Sequence, residues 1–105
     1  MVIENNVLIK VEEADISDGL FKIPENVTKI GTRAFYGLKS LNEVIFHPGI
    51  KTIESFAFTN CKNLYEIQLP KSLTRIEQKA FLFCTWYFLP VLSNPFSFFS
   101  KSEKE

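Results

Sequence analysis

The chain has 105 residues, of which 46% are hydrophobic, and its twelve Lys and Arg residues balance twelve Asp and Glu residues. This length fits one domain with a modest hydrophobic core. Because the formal net charge is zero, the composition argues against nucleic acid or an anionic membrane surface as the partner.

The N-terminal segment, residues 1–19, is predicted to cap the first of the repeated units that follow, and Met1–Ser17 matches none of these units. Val7–Val11 (VLIKV) has the apolar, β-branched composition of a strand, and a polar turn follows at residues 15–18. The opening Met1–Lys10 carries Glu4 and lacks a basic region followed by a long apolar core. It therefore does not predict a secretory signal.

From residue 20 to residue 84 the chain follows a 23-residue period. An Ala-Phe pair recurs at positions 34–35, 57–58 and 80–81, and an isoleucine precedes each alanine by four residues. Further apolar columns keep the same register: Val27, Ile50 and Leu73; Leu38, Cys61 and Cys84; Phe46, Leu69 and Leu92. Such a period is typical of a stacked-coil repeat protein, in which each unit buries its apolar face against its neighbours. The pattern predicts a buried ladder of Phe35, Phe58 and Phe81.

Each unit is predicted to contain two short extended pieces and one helical turn. The first pieces are expected to pair as a small parallel sheet, and they are Asp18–Ile23, Leu41–Phe46 and Leu64–Leu69. The second pieces surround Ile30, Ile53 and Ile76. Single helical turns, each held by a buried phenylalanine, are expected at Thr32–Tyr36, Ser55–Thr59 and Gln78–Leu82.

The two cysteines, Cys61 and Cys84, lie one period apart. On adjacent coils they are expected about 5 Å from each other, a spacing at which a disulfide is geometrically conceivable. Both share an apolar column with Leu38, however, and this favours two buried thiols that behave as small hydrophobic residues.

The C-terminal part departs from the pattern after Cys84. Residues 80–100 form an uncharged run that is long enough for a membrane span, but two prolines interrupt it. We expect residues 85–100 to form a divergent apolar cap over the last coil, with a protein interface and a membrane anchor as the alternatives. The charged residues 101–105 are predicted to be a disordered tail.

A longer motif recurs around the Ala-Phe pairs. The segment Ile23–Phe35 (IPENVTKIGTRAF) and the segment Leu64–Phe81 (LYEIQLPKSLTRIEQKAF) fit one unit, roughly LxxIxLPxxVxxIxxxAFxxC. Over Leu20–Cys84 this unit resembles the BspA-like leucine-rich repeat family. The resemblance implies an α/β repeat solenoid, a short right-handed coil with parallel strands and short helical turns. It also implies a non-enzymatic role in adhesion or protein recognition, on secreted or cell-surface proteins.

No catalytic or metal-binding constellation is predicted. The single histidine, His47, occupies a turn column shared with Pro24 and Pro70, and no nucleophile or orienting carboxylate is placed with it. One histidine and two column cysteines also fall short of the four ligands of a usual zinc site. We therefore expect neither an enzyme nor a cofactor.

The better functional candidate is the outer face of the predicted parallel sheet. If Val44 and Ile67 point inward, the alternate residues point outward. These candidate partner-binding residues are Lys22, Asn42, Glu43, Ile45, Tyr65, Glu66 and Gln68. Tyr65 and Ile45 would add apolar area of the kind found at interfaces. The alternative is an ordinary solvated sheet face.

Two functional hypotheses follow. The first is a protein-recognition or adhesion module that binds a protein partner through this face, with a host-derived protein as one candidate. The alternative is a structural or assembly fragment that self-associates through the apolar segment Trp86–Phe99. A membrane partner is not expected from either hypothesis, and both leave the compartment open.

Overall fold

The computed structural model describes residues 1–84, which wind into a solenoid with strands on two sides. The strands are, in chain order, β1 Val2–Glu4, β2 Val7–Lys10, β3 Leu20–Lys22, β4 Lys29–Ile30, β5 Glu43–Ile45, β6 Thr52–Ile53, β7 Glu66–Ile67 and β8 Arg75–Ile76. A short 3₁₀ helix, Glu13–Asp15, lies between β2 and β3.

The strands form two sheets, and three successive coils, with β3 and β4, β5 and β6, and β7 and β8, each contribute one strand to each sheet. The larger sheet has the order β1-β2-β4-β6-β8, and the smaller has the order β3-β5-β7. All neighbours are parallel except β1, which is antiparallel to β2. Residues 23 positions apart are paired, as Ile30 is with Ile53 and Val44 is with Ile67. The predicted solenoid and its parallel sheet are therefore confirmed.

A column of phenylalanine rings occupies the interior. The ring centroids of Phe35 and Phe58 are 4.5 Å apart with an interplanar angle of 11°, and those of Phe58 and Phe81 are 5.0 Å apart at 10°. These spacings match the separation of adjacent strands, because each coil supplies one ring. Phe21 closes the column with an edge contact to Phe35 at 5.3 Å. The predicted ladder is confirmed, and all its rings are buried.

The tight turns after β4, β6 and β8 are present, but the prediction that they are helical is wrong. In Thr32–Tyr36, Ser55–Thr59 and Gln78–Leu82 the second residue has a positive φ, at 60°, 61° and 64° for Arg33, Phe56 and Lys79. This left-handed conformation interrupts a right-handed helix. The stacking of the coils imposes this conformation, because the N–H of Phe35 donates to Ala57 O of the next coil at 2.7 Å. A helix would direct that donor back along its own turn.

The N-terminal segment joins the larger sheet. The predicted strand at Val7–Val11 is confirmed as β2, which pairs in parallel with β4. The hairpin partner β1 was not predicted. Its turn consists of Asn5 and Asn6, both with positive φ, which is the conformation that asparagine tolerates in tight hairpins. The Asn-Asn pair was the available signal for this hairpin.

A carboxylate ties the N-terminal segment to the first coil. Glu13 accepts hydrogen bonds from the backbone N–H groups of Lys39 at 2.8 Å and Ser40 at 3.1 Å, and the Ser40 hydroxyl also donates to it. The Ser40 hydroxyl, followed by the Lys39 N–H, holds the pKa of Glu13 below its ordinary value. Asp15 is similarly held by the N–H of Glu12, which lowers its pKa.

Both cysteines are buried thiols, as predicted, and they form no disulfide. The thiol of Cys61 donates to Phe35 O at 2.9 Å, and that of Cys84 donates to Phe58 O at 3.0 Å. Each thiol therefore links its coil to the preceding one.

The predicted C-terminal cap at 85–100 and the tail at 101–105 lie outside the described residues. Within residues 1–84, no helix has the length and apolar character needed to cross a membrane.

We predict that Phe58→Ala lowers the free energy of unfolding by about 3–5 kcal/mol, because the central ring contacts a ring on each side. Phe58→Leu, which keeps most of the apolar volume, should lose less. Tyr65→Ala, which truncates an exposed aromatic residue, should stay within about 0.5 kcal/mol of the wild type. Urea unfolding measures all three. Equal losses for Phe58→Ala and Tyr65→Ala would contradict the buried ladder.

The lowered pKa of Glu13 predicts a pH dependence. The folded state favours the charged carboxylate, so this contribution is present above the pKa of the unfolded chain, and it is lost as the pH falls below about 4. Thermal unfolding followed from pH 7 to pH 3 should show a shallower acid loss for Glu13→Gln than for the wild type. Glu25→Gln, at an exposed site outside this contact, should retain the wild-type slope. An unchanged slope in Glu13→Gln would refute the contribution of this contact.

Candidate functional site

The residues predicted from the sequence to bind a partner lie on or next to the strands of the β3-β5-β7 sheet. The inward residues Phe21, Val44 and Ile67 are buried, as the alternation requires. Five of the seven candidates are exposed and two are half-buried; the exposed ones are Lys22, Ile45, Tyr65, Glu66 and Gln68, and the half-buried ones are Asn42 and Glu43. Lys22, Glu43, Ile45 and Glu66 alternate with the inward residues, whereas Asn42, Tyr65 and Gln68 flank the strands. The role of all seven in binding stays a prediction.

Strand register decides which of these side chains are neighbours. Lys22 of β3 is directly paired with Ile45 of β5, and Glu43 of β5 is directly paired with Glu66 of β7. Tyr65 precedes β7, and its side chain is 59% exposed. The face therefore carries an acidic pair with large apolar groups close to it in the sequence.

The acidic pair is electrostatically unfavourable. Like charges that face each other on adjacent strands repel, and this reduces stability. Within residues 1–84, neither Glu43 nor Glu66 forms an ion pair that would offset the repulsion. The nearest basic residue of this face by register is Lys22, which is paired with Ile45 rather than with a carboxylate. The arrangement leaves two carboxylates able to accept from a cationic group.

A depression of about 290 Å³ lies over β5 and β7. Its lining consists of Glu43, Val44, Ile45, Phe46, Glu66, Ile67 and Gln68. It thus brings together four of the predicted residues, whereas Lys22, Asn42 and Tyr65 lie outside the lining. Phe46 was assigned only to the core; it is half-buried, so its ring both packs near Phe58 at 6.2 Å and lines the depression.

Asn42 makes hydrogen bonds that link neighbouring coils. Its side-chain Nδ2 donates to Asn63 O at 3.0 Å, and its backbone N–H donates to Gly19 O at 2.7 Å. Gly19 has a φ of 80°, and a Cβ at that position would lie 2.1 Å from Asn42 Oδ1. The glycine therefore allows the close approach that fixes Asn42 at the start of β5. The backbone bond recurs one coil later, where the Tyr65 N–H donates to Asn42 O at 3.1 Å, but the glycine does not recur, so the repeat gave no sign of this close approach.

His47 is a turn residue, as expected. Its Nδ1 accepts the Gly49 N–H at 3.0 Å, so Nε2 carries the proton and donates to Pro24 O at 3.0 Å. Both ring nitrogens are thus used by backbone groups. Among the described residues, no group of three or more His, Cys, Asp or Glu side chains is arranged to hold a metal ion.

Comparison with known proteins supports the repeat architecture. A family model described as "BspA type Leucine rich repeat region (6 copies)" matches residues 15–98. The crystal structure of the pneumococcal vaccine antigen PcpA is similar, with a TM-score of 0.67 and 30% identity over 72% of this chain and 18% of that chain. A T. pallidum leucine-rich repeat protein, TpLRR, has a TM-score of 0.57 and 31% identity over 59% of this chain and 31% of that chain.

This chain therefore spans less than a third of either of those two proteins. No curated protein sequence matches it.

The close contact between Gly19 and Asn42 predicts that a methyl group at position 19 destabilises the fold. Gly19→Ala should lower the free energy of unfolding by about 1–3 kcal/mol, because it adds steric conflict to an unfavourable φ. Gly37→Ala is the matched control: φ is 69° there, and nothing lies within 4 Å of an added Cβ. Urea unfolding should show a larger loss for Gly19→Ala than for Gly37→Ala. Equal losses would mean that the close approach to Asn42 has no energetic consequence.

Proposed function

Because the chain belongs to the BspA-type leucine-rich repeat family, we propose that it is a protein-recognition module whose outer β3-β5-β7 face binds a partner protein. One observation carries the proposal: an acidic pair that has no ion pair with any residue of the described range 1–84 lines a depression, beside exposed apolar side chains. The repeat fold and its resemblance to PcpA and TpLRR support a non-enzymatic interaction role.

Apolar burial supplies one part of the binding free energy. Tyr65 is 59% exposed and Ile45 is 40% exposed. Removing such side chains from water contributes about 25 cal/mol for each Å² of apolar surface that a partner covers. Tyrosine is also enriched among the few residues that dominate binding energy at interfaces. Tyr65 is therefore the proposed anchor.

Electrostatics supplies the selectivity. Glu43 and Glu66 repel each other in the unbound protein, so a Lys or Arg side chain placed between them would relieve that repulsion while making its own favourable contacts. A partner with a carboxylate at the same place would increase the repulsion. The proposed partner therefore presents a basic side chain to the depression.

The size of the face limits the affinity. A standard interface covers about 800 Å² on each partner. Three strands of two or three residues each provide a small surface by that measure. The proposed interaction is accordingly weak and transient, unless the partner also contacts other parts of the molecule.

Self-association through Trp86–Phe99 involves residues beyond the described part of the chain and stays a prediction. The same holds for a host-derived origin of the partner.

A selection with random dodecapeptides displayed on phage tests the proposal. The library is first depleted on the double variant Tyr65→Ala with Glu66→Ala and is then selected on the wild-type protein. We expect peptides enriched in Lys or Arg, whose affinity falls about tenfold or more in the double variant. Its melting temperature should not fall below that of the wild type, because both side chains are exposed and the loss of Glu66 removes its repulsion with Glu43.

Ile45→Ala should weaken the same peptides, and Ile9→Ala is the matched control, since Ile9 is also 40% exposed but lies on β2 of the larger sheet. A selection that yields no peptides dependent on Tyr65 and Glu66 would overturn the proposal. Equal effects of the two isoleucine variants would overturn the assignment to this face.

A further inference from the structure

A second cluster lies on the segments that connect the larger sheet to the smaller one. The guanidinium Cζ of Arg33 is 5.7 Å from the ring centroid of Tyr36 and 5.2 Å from that of Phe56. Arg33 and Tyr36 are exposed, the latter at 44%, and Phe56 is half-buried. We call Arg33, Tyr36 and Phe56 the turn-edge cluster. It shares no residue with the β3-β5-β7 face.

The Arg33 guanidinium is held by two aromatic rings, and no carboxylate within residues 1–84 neutralises its charge. Among residues 1–84, Arg33 has no ion pair and its side chain makes no hydrogen bond. The two aromatic rings attract the cation through their faces and leave its N–H donors unused. Arg75 is different, because its guanidinium lies 2.8 Å from the carboxylate of Glu77. Arg33 therefore presents an oriented set of donors to the exterior.

The backbone does not explain why these residues stand here. Arg33 and Phe56 have φ values of 60° and 61°, in the region that glycine and asparagine adopt most readily. Gly37 and Asn60 occupy the other positive-φ column of the same coils. A glycine would meet the turn's requirement with less strain at position 33 or 56. Large side chains also occur in these two columns at Lys79 and Phe83, so positions 33 and 56 are distinguished by the contact of the Arg33 guanidinium with two aromatic rings.

The chemistry of the cluster matches a carboxylate next to an apolar group. A guanidinium binds a carboxylate with two parallel hydrogen bonds, and fixing it beforehand reduces the entropy that binding would otherwise cost. Arginine and tyrosine together are typical of the residues that dominate protein interfaces. Polyanions, in contrast, are held by several cations along a track. Here a single guanidinium is fixed between two aromatic rings.

We propose that the turn-edge cluster is a second protein-binding surface, which accepts an Asp or Glu side chain of a partner segment on Arg33 while an adjacent apolar residue packs on Tyr36. The two surfaces select opposite charges: the β3-β5-β7 face takes a basic group and the turn-edge cluster takes an acidic one. Each binds without the other, so either proposal can fail alone.

The test uses random dodecapeptides displayed on phage, depleted on Arg33→Gln and then selected on the wild-type protein. Selected peptides should be enriched in Asp or Glu next to an aliphatic or aromatic residue. One such peptide is synthesised with its acidic residue and with the matching Gln or Asn. Affinities are measured by NMR titration, which also reports on the Arg33 Nε–H and the Tyr36 ring.

The acidic peptide should bind the wild type about tenfold or more tightly than its amide version, and Arg33→Gln should remove that difference. Arg33→Lys should restore it only in part, because an ammonium lacks the planar fork. Arg75→Gln, at the other arginine of the chain, should change the affinity less than about twofold. Tyr65→Ala with Glu66→Ala should leave this peptide's affinity unchanged.

Three results would overturn the proposal. The first is a selection without acidic peptides. The second is an equal loss in Arg33→Gln and Arg75→Gln, which would indicate general attraction to positive charge. The third is Arg33-dependent binding of a twelve-nucleotide oligo-dT as tight as that of the peptide, which would indicate a polyanion site.

Discussion

Stacking of one phenylalanine ring per coil, together with backbone hydrogen bonds between coils, sets the register on which the described structure depends. The rings of Phe35 and Phe58 are 4.5 Å apart, and the N–H of each residue donates to the next coil at 2.7 Å. Because side-chain burial and backbone pairing require the same 23-residue offset, a slip of one residue would disrupt both. The register in turn determines which surface residues become neighbours.

That register is also the origin of the proposed binding face. It places Glu43 beside Glu66, although their repulsion lowers stability. The turn-edge cluster has a similar basis, since the stack requires a left-handed residue at position 33 but does not require arginine there. Folding thus fixes the backbone conformation at these sites, but it does not determine which side chains occupy them. Each surface therefore carries side chains that the fold itself does not require.

The repeat made the sheet, the ladder and the buried thiols predictable, because each inward column must hold a similar apolar residue in every coil. Contacts that do not repeat were missed. The hairpin strand β1 has no counterpart in the coils, and the glycine at position 19, which admits the Asn42 side chain, is replaced by larger residues at positions 42 and 65.

The turn conformation was also mispredicted. A buried phenylalanine fits a helical turn equally well in sequence, and only the hydrogen bond from Phe35 to Ala57 in the next coil excludes it. The cluster around Arg33 could not be inferred for a related reason. It joins residues 33 and 56, which share a column but differ in type, so no repeated pattern marks them.

Native-state hydrogen exchange, read residue by residue by NMR, tests the central claim most directly. If the coils are locked together by the ring stack, the amides of Phe35 and Phe58 should exchange only through global unfolding, with an opening free energy equal to that from urea denaturation. Exchange of these two amides as fast as that of the exposed Glu25 amide would show that the coils are not stacked in this register.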